Sequence, residues 1–206
     1  MVAPIEFFFI FLTSIGLNLI PFAGPSNLFI ASTAAIALAD ADPVTLVLVG
    51  FLVAMGSSIA KSVHYLITFF VSKRLSEERR RRLDKEAAKV RKWAFALLFA
   101  AAASPIPDEP VVIPLGLLKY SPVKFFTAFF FGKLSITVAG AFLGDWTKNT
   151  FSGWLSQDAL IVISIVLTIV ITIVLLKVDV EDLFNRIFRR KKKENEPDEN
   201  IDDVKS

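Results

Sequence analysis

The stretch from Ser104 to Gly116, S-P-I-P-D-E-P-V-V-I-P-L-G, places four prolines and two adjacent acids inside a long apolar region. Proline lacks a backbone donor and clashes with the preceding helical turn, so no regular helix runs through it. The flanks, Trp93 to Ala103 and Val111 to Leu118, are as apolar as a bilayer span. Each is about 8 to 11 residues, roughly 12 to 17 Å at the helical rise, or half a hydrocarbon core. Two half-length helices meeting at a proline-rich break predict a re-entrant hairpin. Irregular backbone at that depth is tolerated only where protein buries it or water reaches it. Asp108 and Glu109 at the tip make this a candidate functional site.

Composition supports the same class. Of 206 residues, 54% are hydrophobic and 20 are Phe, and mean hydropathy is +0.58. That excludes an ordinary soluble domain and predicts an all-α, polytopic membrane protein. Leu160 to Leu176 alone crosses a bilayer width without a charge. Cysteine is absent, which excludes disulfides and thiolate metal sites. The apolar N-terminus lacks a basic leader and a cleavage site, so no removed signal peptide is expected.

The opening half repeats the design. Ile5 to Leu19 is apolar and short, N-L-I-P-F-A-G-P-S-N breaks it, and Leu28 to Ala39 is short and apolar again. The reading is therefore two repeats and a final span. Repeat 1 covers 1–72, with a hairpin at 5–39 and a transmembrane helix at 44–71. Residues 73–92 link it to repeat 2, at 93–145, with a hairpin at 93–118 and a helix at 122–144. A link and last transmembrane helix occupy 146–178, and a charged tail 179–206. Matching broken segments in two halves point to a transporter site.

Basic residues crowd Lys73 to Lys92 and the tail after Leu176, which places both in the cytoplasm. Helix parity then makes the two repeats inverted relative to each other. Ser76 to Lys92 reads as an interfacial helix: Ser76 caps it, Glu77 and Glu78 pair with Arg81 and Arg82, and Leu83, Ala87, Val90 and Ala94 form a thin apolar stripe. Anionic lipid is its expected partner, with no nucleic acid involved.

Lys133 falls about 11 residues from either end of its predicted helix, at the depth of the second tip. An unpaired charge there costs several kcal/mol, so contact with Asp108 or Glu109 is expected. Lys61 sits nearer the cytoplasm and needs a wet cavity or an anionic partner. His64 shares its face at i+3 and is a candidate titrating group. The breaks leave helix N-termini at Pro25, Ser26 and Asn27 and at Pro110, where anions are favoured. Gly140 and Gly144, and the face of Ser164, Thr168 and Thr172, read as packing devices. No nucleophile–base pair, phosphate loop, dinucleotide fingerprint or metal motif is present, so no enzyme activity, cofactor or metal is expected.

The chain resembles the DedA, or VTT-domain (SNARE-associated Golgi protein), membrane family. The resemblance rests on L-I-P-F-A-G-P-S-N at Leu19 to Asn27, G-S-S-I-A-K-S-V-H-Y at Gly56 to Tyr65, S-P-I-P-D-E-P-V-V-I-P-L-G-L-L-K-Y-S at Ser104 to Ser121, and F-F-F-G-K-L at Phe129 to Leu134. It implies two inverted re-entrant hairpins and movement of lipids across the bilayer. Bacterial members recycle a polyprenyl-phosphate carrier, coupled to the proton gradient; eukaryotic relatives scramble phospholipids. Many bacterial members carry an acid in the first hairpin and arginines around the second. Here Asn18, Ser26 and Asn27 stand at the first tip, and lysines stand near the second.

The expected function is transport of an anionic lipid, most simply an undecaprenyl or dolichyl phosphate, by a protein of the cell membrane. Lys61, Lys133 and the half-helix N-termini would hold the phosphate, and Asp108, Glu109 and His64 would gate or carry protons. Alternatives are a phospholipid scramblase, a structural or assembly protein whose charges only pair, and a proton-coupled exporter of small cations. A homo-oligomer is compatible with all four.

Overall fold

The computed structural model describes residues 3–21, 24–38, 41–74 and 92–177. The described residues form seven α-helices and no strand: α1 Pro4–Asn18, α2 Asn27–Ala37, α3 Pro43–Val71, α4 Ala94–Ala102, α5 Glu109–Leu117, α6 Pro122–Phe151 and α7 Gln157–Lys177. The helices through Leu175 make one compact unit. The predicted interfacial helix, apart from Lys92, and the charged tail lie outside the described residues.

Local chemistry sets the helix ends. Asp42 caps α3 by accepting from the Thr45 amide at 2.8 Å, and Pro43 opens the helix, where its missing donor costs nothing. Those bonds with Thr45 hold the Asp42 carboxyl below its usual range. Pro122 likewise opens α6, after a Ser121 whose side chain makes no capping bond. The prolines at 105, 107 and 110 keep α4 and α5 apart, as the sequence predicts.

The last helix of the second half departs from expectation. Instead of ending at Gly144, α6 runs about two turns further to Phe151. The residues that look like a polar link satisfy one another along the helix: Asn149 donates to Asp145 four residues back, at 3.0 Å. The link shrinks to the turn before Gln157.

Among the described residues, α3 and α6 are the helices long and apolar enough to cross a membrane. They pack antiparallel. Gly50 of α3 meets Val138 of α6, Phe51 meets Phe130 edge-on at 5.7 Å, and Tyr65 stacks on Phe125 at 4.3 Å. Thr137 ties the pair by donating to the Gly50 carbonyl at 2.7 Å. The four short helices pack around this pair in a regular way. α1 lies on α3 and α4 lies on α6, each on the long helix that follows it. The second arms cross over: α2 lies on α6 and α5 on α3. Exchanging the two halves leaves these pairings unchanged.

Small residues allow the close approaches. A Cβ on Gly144 would sit 2.2 Å from the Ser32 carbonyl oxygen, and one on Gly132 would sit 2.6 Å from that of Phe99. Gly140 and Gly144 are thus packing positions, as read from the sequence. Two apolar clusters result. One gathers Tyr65, Leu98, Val112, Leu115, Phe125 and Phe129 around the second hairpin. The other gathers Ile30, Ala35, Leu46, Val49, Val53 and Ala141 around the first. Outside them the surface is apolar as well, with Val44, Ile67, Phe131 and Val162 each more than half exposed. On a soluble protein such a surface is a liability, and in a bilayer it is the required exterior.

The C-terminal end of α2 is held by side chains from the second half. Gln157 donates to the carbonyls of Ile36 (3.1 Å) and Ala37 (3.0 Å), and Lys148 donates to that of Leu38. These carbonyls have no partner within their own helix. Thr33 also meets Ser164 of α7 at 2.7 Å.

Candidate functional site

Three helices deliver four charged side chains to one buried point. Lys61 comes from α3 and Lys133 from α6, while Asp108 and Glu109 form the N-terminal corner of α5. Lys61 lies about 10 residues before the end of α3, and Lys133 about 11 after the start of α6. Because the helices are antiparallel, both ammonium groups sit at one depth, roughly 15 Å from that end of the pair. The expectation that Lys61 lies shallower than Lys133 is therefore corrected. Its source was the assumed end of α6 at Gly144.

The charges form a chain. Lys133 Nζ is 2.8 Å from Asp108 Oδ2, and Lys61 Nζ is 3.3 Å from Asp108 Oδ1. Lys61 also donates to Glu109 Oε1. The order is Lys133, Asp108, Lys61, Glu109, with alternating sign and zero sum. All four residues are 3 to 5% exposed. Isolated charges would not survive that burial, and an alternating set such as these described residues form is an arrangement that does. The predicted contact of Lys133 with an acid is present, and Lys61 has the anionic partner it requires. The ring of Phe129 supports Lys133 from below, 5.2 Å from Nζ. Asp108 Oδ1 is the weakest point: it has the 3.3 Å ion pair but no hydrogen bond.

The first tip is built differently. Asn18 at the end of α1 and Asn27 at the start of α2 exchange amide hydrogen bonds at 2.9 and 3.0 Å. Ser57 of α3 donates to Asn18 Oδ1 at 3.0 Å, and Asn18 donates to the Ser14 carbonyl at 2.8 Å. Ser14 in turn donates to the Val53 carbonyl at 2.8 Å. This network is neutral and buried, and its amides are spent on one another. Sequence reading named Asn27 as an anion contact and Asn18 only as a departure. The signal for their pairing was available: one asparagine on each side of the same proline break.

The remaining candidates are dispersed. α2 begins at Asn27 with Ser26 as its cap residue, so its N-terminus lies one to two residues beyond the predicted Pro25; the Ser26 side chain makes no capping bond. Pro110 is in the first turn of α5 and exposed. His64 of α3 faces the first hairpin: its Nε2 donates to the Leu19 carbonyl at 3.1 Å, and among the described residues its Nδ1 has no partner. It does not touch the four charges. Among the described residues no group of His, Cys, Asp and Glu could hold a metal ion.

Described residues that are all helical or turn, with two membrane-length spans, an apolar exterior and a buried set of paired ions, make this an integral membrane protein. The VTT domain family model matches residues 24–146, more than half of the chain and all four charges. The chain belongs to the DedA/VTT-domain family. No curated protein and no solved structure matches it at a significant level.

Proposed function

We propose that this protein moves an anionic lipid, a polyprenyl phosphate in the first instance, from one leaflet to the other. One observation carries the reading: four ionised side chains from three helices are buried at a broken tip, where a purely structural role is served more cheaply by apolar packing. Asp108 bridges both lysines, one through each oxygen. A phosphate has the charge and the oxygens to take its place. On this reading Lys61 and Lys133 hold the phosphate as Asp108 swings away, and the set keeps its balance of charge in transit. The exchange symmetry of the helix pairings supports two inverted re-entrant hairpins, and labelling of introduced cysteines at 93 and 119 from the same side of the membrane is the expected result.

The complete pairing of the charges favours one rival, in which they only hold the hairpin. Transport by the reconstituted protein separates the two. Lys61→Ala and Lys133→Ala are expected to slow a polyprenyl phosphate by at least about tenfold, the worth of one charge-assisted contact. The double variant Lys133→Met/Asp108→Asn keeps the charge balance, so it is expected to fold yet transport slowly. Full-speed transport by that variant leaves the charges to the architecture. Equal rates for a phosphate lipid and a neutral one in the wild type would instead indicate a scramblase.

A further inference from the structure

A groove of about 350 Å³ runs between the end of α3 and the start of α6. Ser62, Tyr65 and Leu66 line one wall, and Pro122, Val123 and Phe126 line the other. Its polar side chains are already spent. Ser62 donates to the Ser58 carbonyl at 2.7 Å, Thr127 to the Val123 carbonyl at 2.9 Å, and Tyr65 to the Tyr120 carbonyl. A headgroup inside would find no donor, so the lining selects hydrocarbon. The volume is at the low end for a ligand site and suits a segment of one chain rather than a whole lipid. The groove stops short of the buried charges. Tyr65 stacks on Phe125 at 4.3 Å, Phe125 on Phe129 at 5.8 Å, and Phe129 supports Lys133. This aromatic column separates the two sites.

Two lysines adjoin the lining residues in the sequence. Lys124 follows Val123 along α6 and is exposed, and Lys119 lies three residues before Pro122. Among the described residues neither has a salt-bridge partner. Lys119 also has φ 50°, the left-handed conformation that glycine adopts more easily. It is the C′ residue of α5: its amide bonds to the Gly116 carbonyl at 3.1 Å, and that of Tyr120 bonds to Leu115 at 3.0 Å. Glycine is the usual choice there, so a lysine held in that conformation points to a use for its charge.

We infer that the groove is a docking site for an anionic lipid, with a hydrocarbon chain against Leu66 and Phe126 and a phosphate at Lys119 and Lys124. This rests on the lipid-transport reading and gives it a waiting position, outside the aromatic column. The test uses the full chain in phosphatidylcholine vesicles. These are doped with phosphatidic acid carrying a diazirine on one chain, or with diacylglycerol carrying the same chain. Adducts are mapped by mass spectrometry. Phosphatidic acid is expected to label groove residues several-fold more than the outward-facing Val47 and Phe131, and several-fold more than diacylglycerol labels them. Lys119→Gly with Lys124→Gln is expected to bring the two lipids level, and Ser62→Trp to remove groove labelling. Even labelling of groove and outer faces, or equal labelling by both lipids in the wild type, overturns the inference. Labelling reads binding without transport. A protein that labels the groove but moves no lipid contradicts the proposed function alone, and one that moves phosphate lipids without groove labelling contradicts this inference alone.

Discussion

Replacing Lys133 by Met removes one charge from the buried set while keeping most of the side-chain volume. It leaves Asp108 with only the 3.3 Å contact to Lys61 and gives the set a net charge of −1. At an effective dielectric of about 20, a pair at the observed 2.8 Å attracts by about 6 kcal/mol before desolvation is counted. Loss of one partner from a buried pair costs about 3 to 5 kcal/mol in practice, because the other stays buried and unbalanced. Lys133→Met is therefore expected to destabilise by about 3 to 5 kcal/mol. Adding Asp108→Asn restores neutrality and leaves Lys61 on Glu109. The double variant is expected to recover most of the loss, with a coupling energy of about 2 to 3 kcal/mol. Reversible unfolding by dodecyl sulfate in mixed micelles, followed by circular dichroism, measures all three variants. A single variant within about 0.5 kcal/mol of wild type, or additive effects in the double, would refute the argument that the four charges are energetically coupled.

Two further outcomes test the fold. Gly144→Ala places a Cβ 2.2 Å from the Ser32 carbonyl oxygen, so α2 must move off α6. The expected loss is about 1 to 3 kcal/mol. Gly16→Ala, with nothing within 4 Å of its Cβ, is expected to gain about 0.5 to 1 kcal/mol from helix propensity. The same unfolding assay reads both signs. At the start of α3, the Asp42 carboxyl is held below 3.8 by its bonds with Thr45. A lowered value stabilises the fold above the unfolded value and is lost as pH falls through the folded one. Asp42→Asn caps without titrating, so the stability difference between wild type and this variant is expected to shrink below pH 3.8. A difference that stays constant across that window would show that Asp42 does not cap through its charge.

The membrane class, the broken short helices and the contact of Lys133 with Asp108 were legible because each follows from one strong cost. Proline cannot continue a helix, and an unpaired charge cannot stay buried. The link from Lys61 to both acids was less legible. Its depth depends on where two helices end, and α6 ends late because Asp145 and Asn149 pair along it while Lys148 is spent on Leu38. Those polar residues look like a loop only until their partners are known. The clamp of Gln157 on α2 is a contact across about 120 positions of sequence. No local pattern announces it.

The two tips occupy matched positions and solve the same problem with different chemistry. Pro25-Ser26-Asn27 opens the second arm of the first hairpin, and Pro107-Asp108-Glu109 opens that of the second. The glycine on which each first arm packs is followed by the residue that reaches its tip: Ser57 after Gly56 bonds to Asn18, and Lys133 after Gly132 bonds to Asp108. A neutral amide network gains roughly 0.5 to 1.5 kcal/mol per bond and is indifferent to the arrival of a charge. An alternating ionic set is stable only while its charges sum to zero, and one added proton or anion changes its balance by several kcal/mol. The first hairpin therefore has the properties of a fixed support. The second has those of an element that a ligand can move, and sensitivity to bound anions should be concentrated in α5 and the ends of α3 and α6 that hold it.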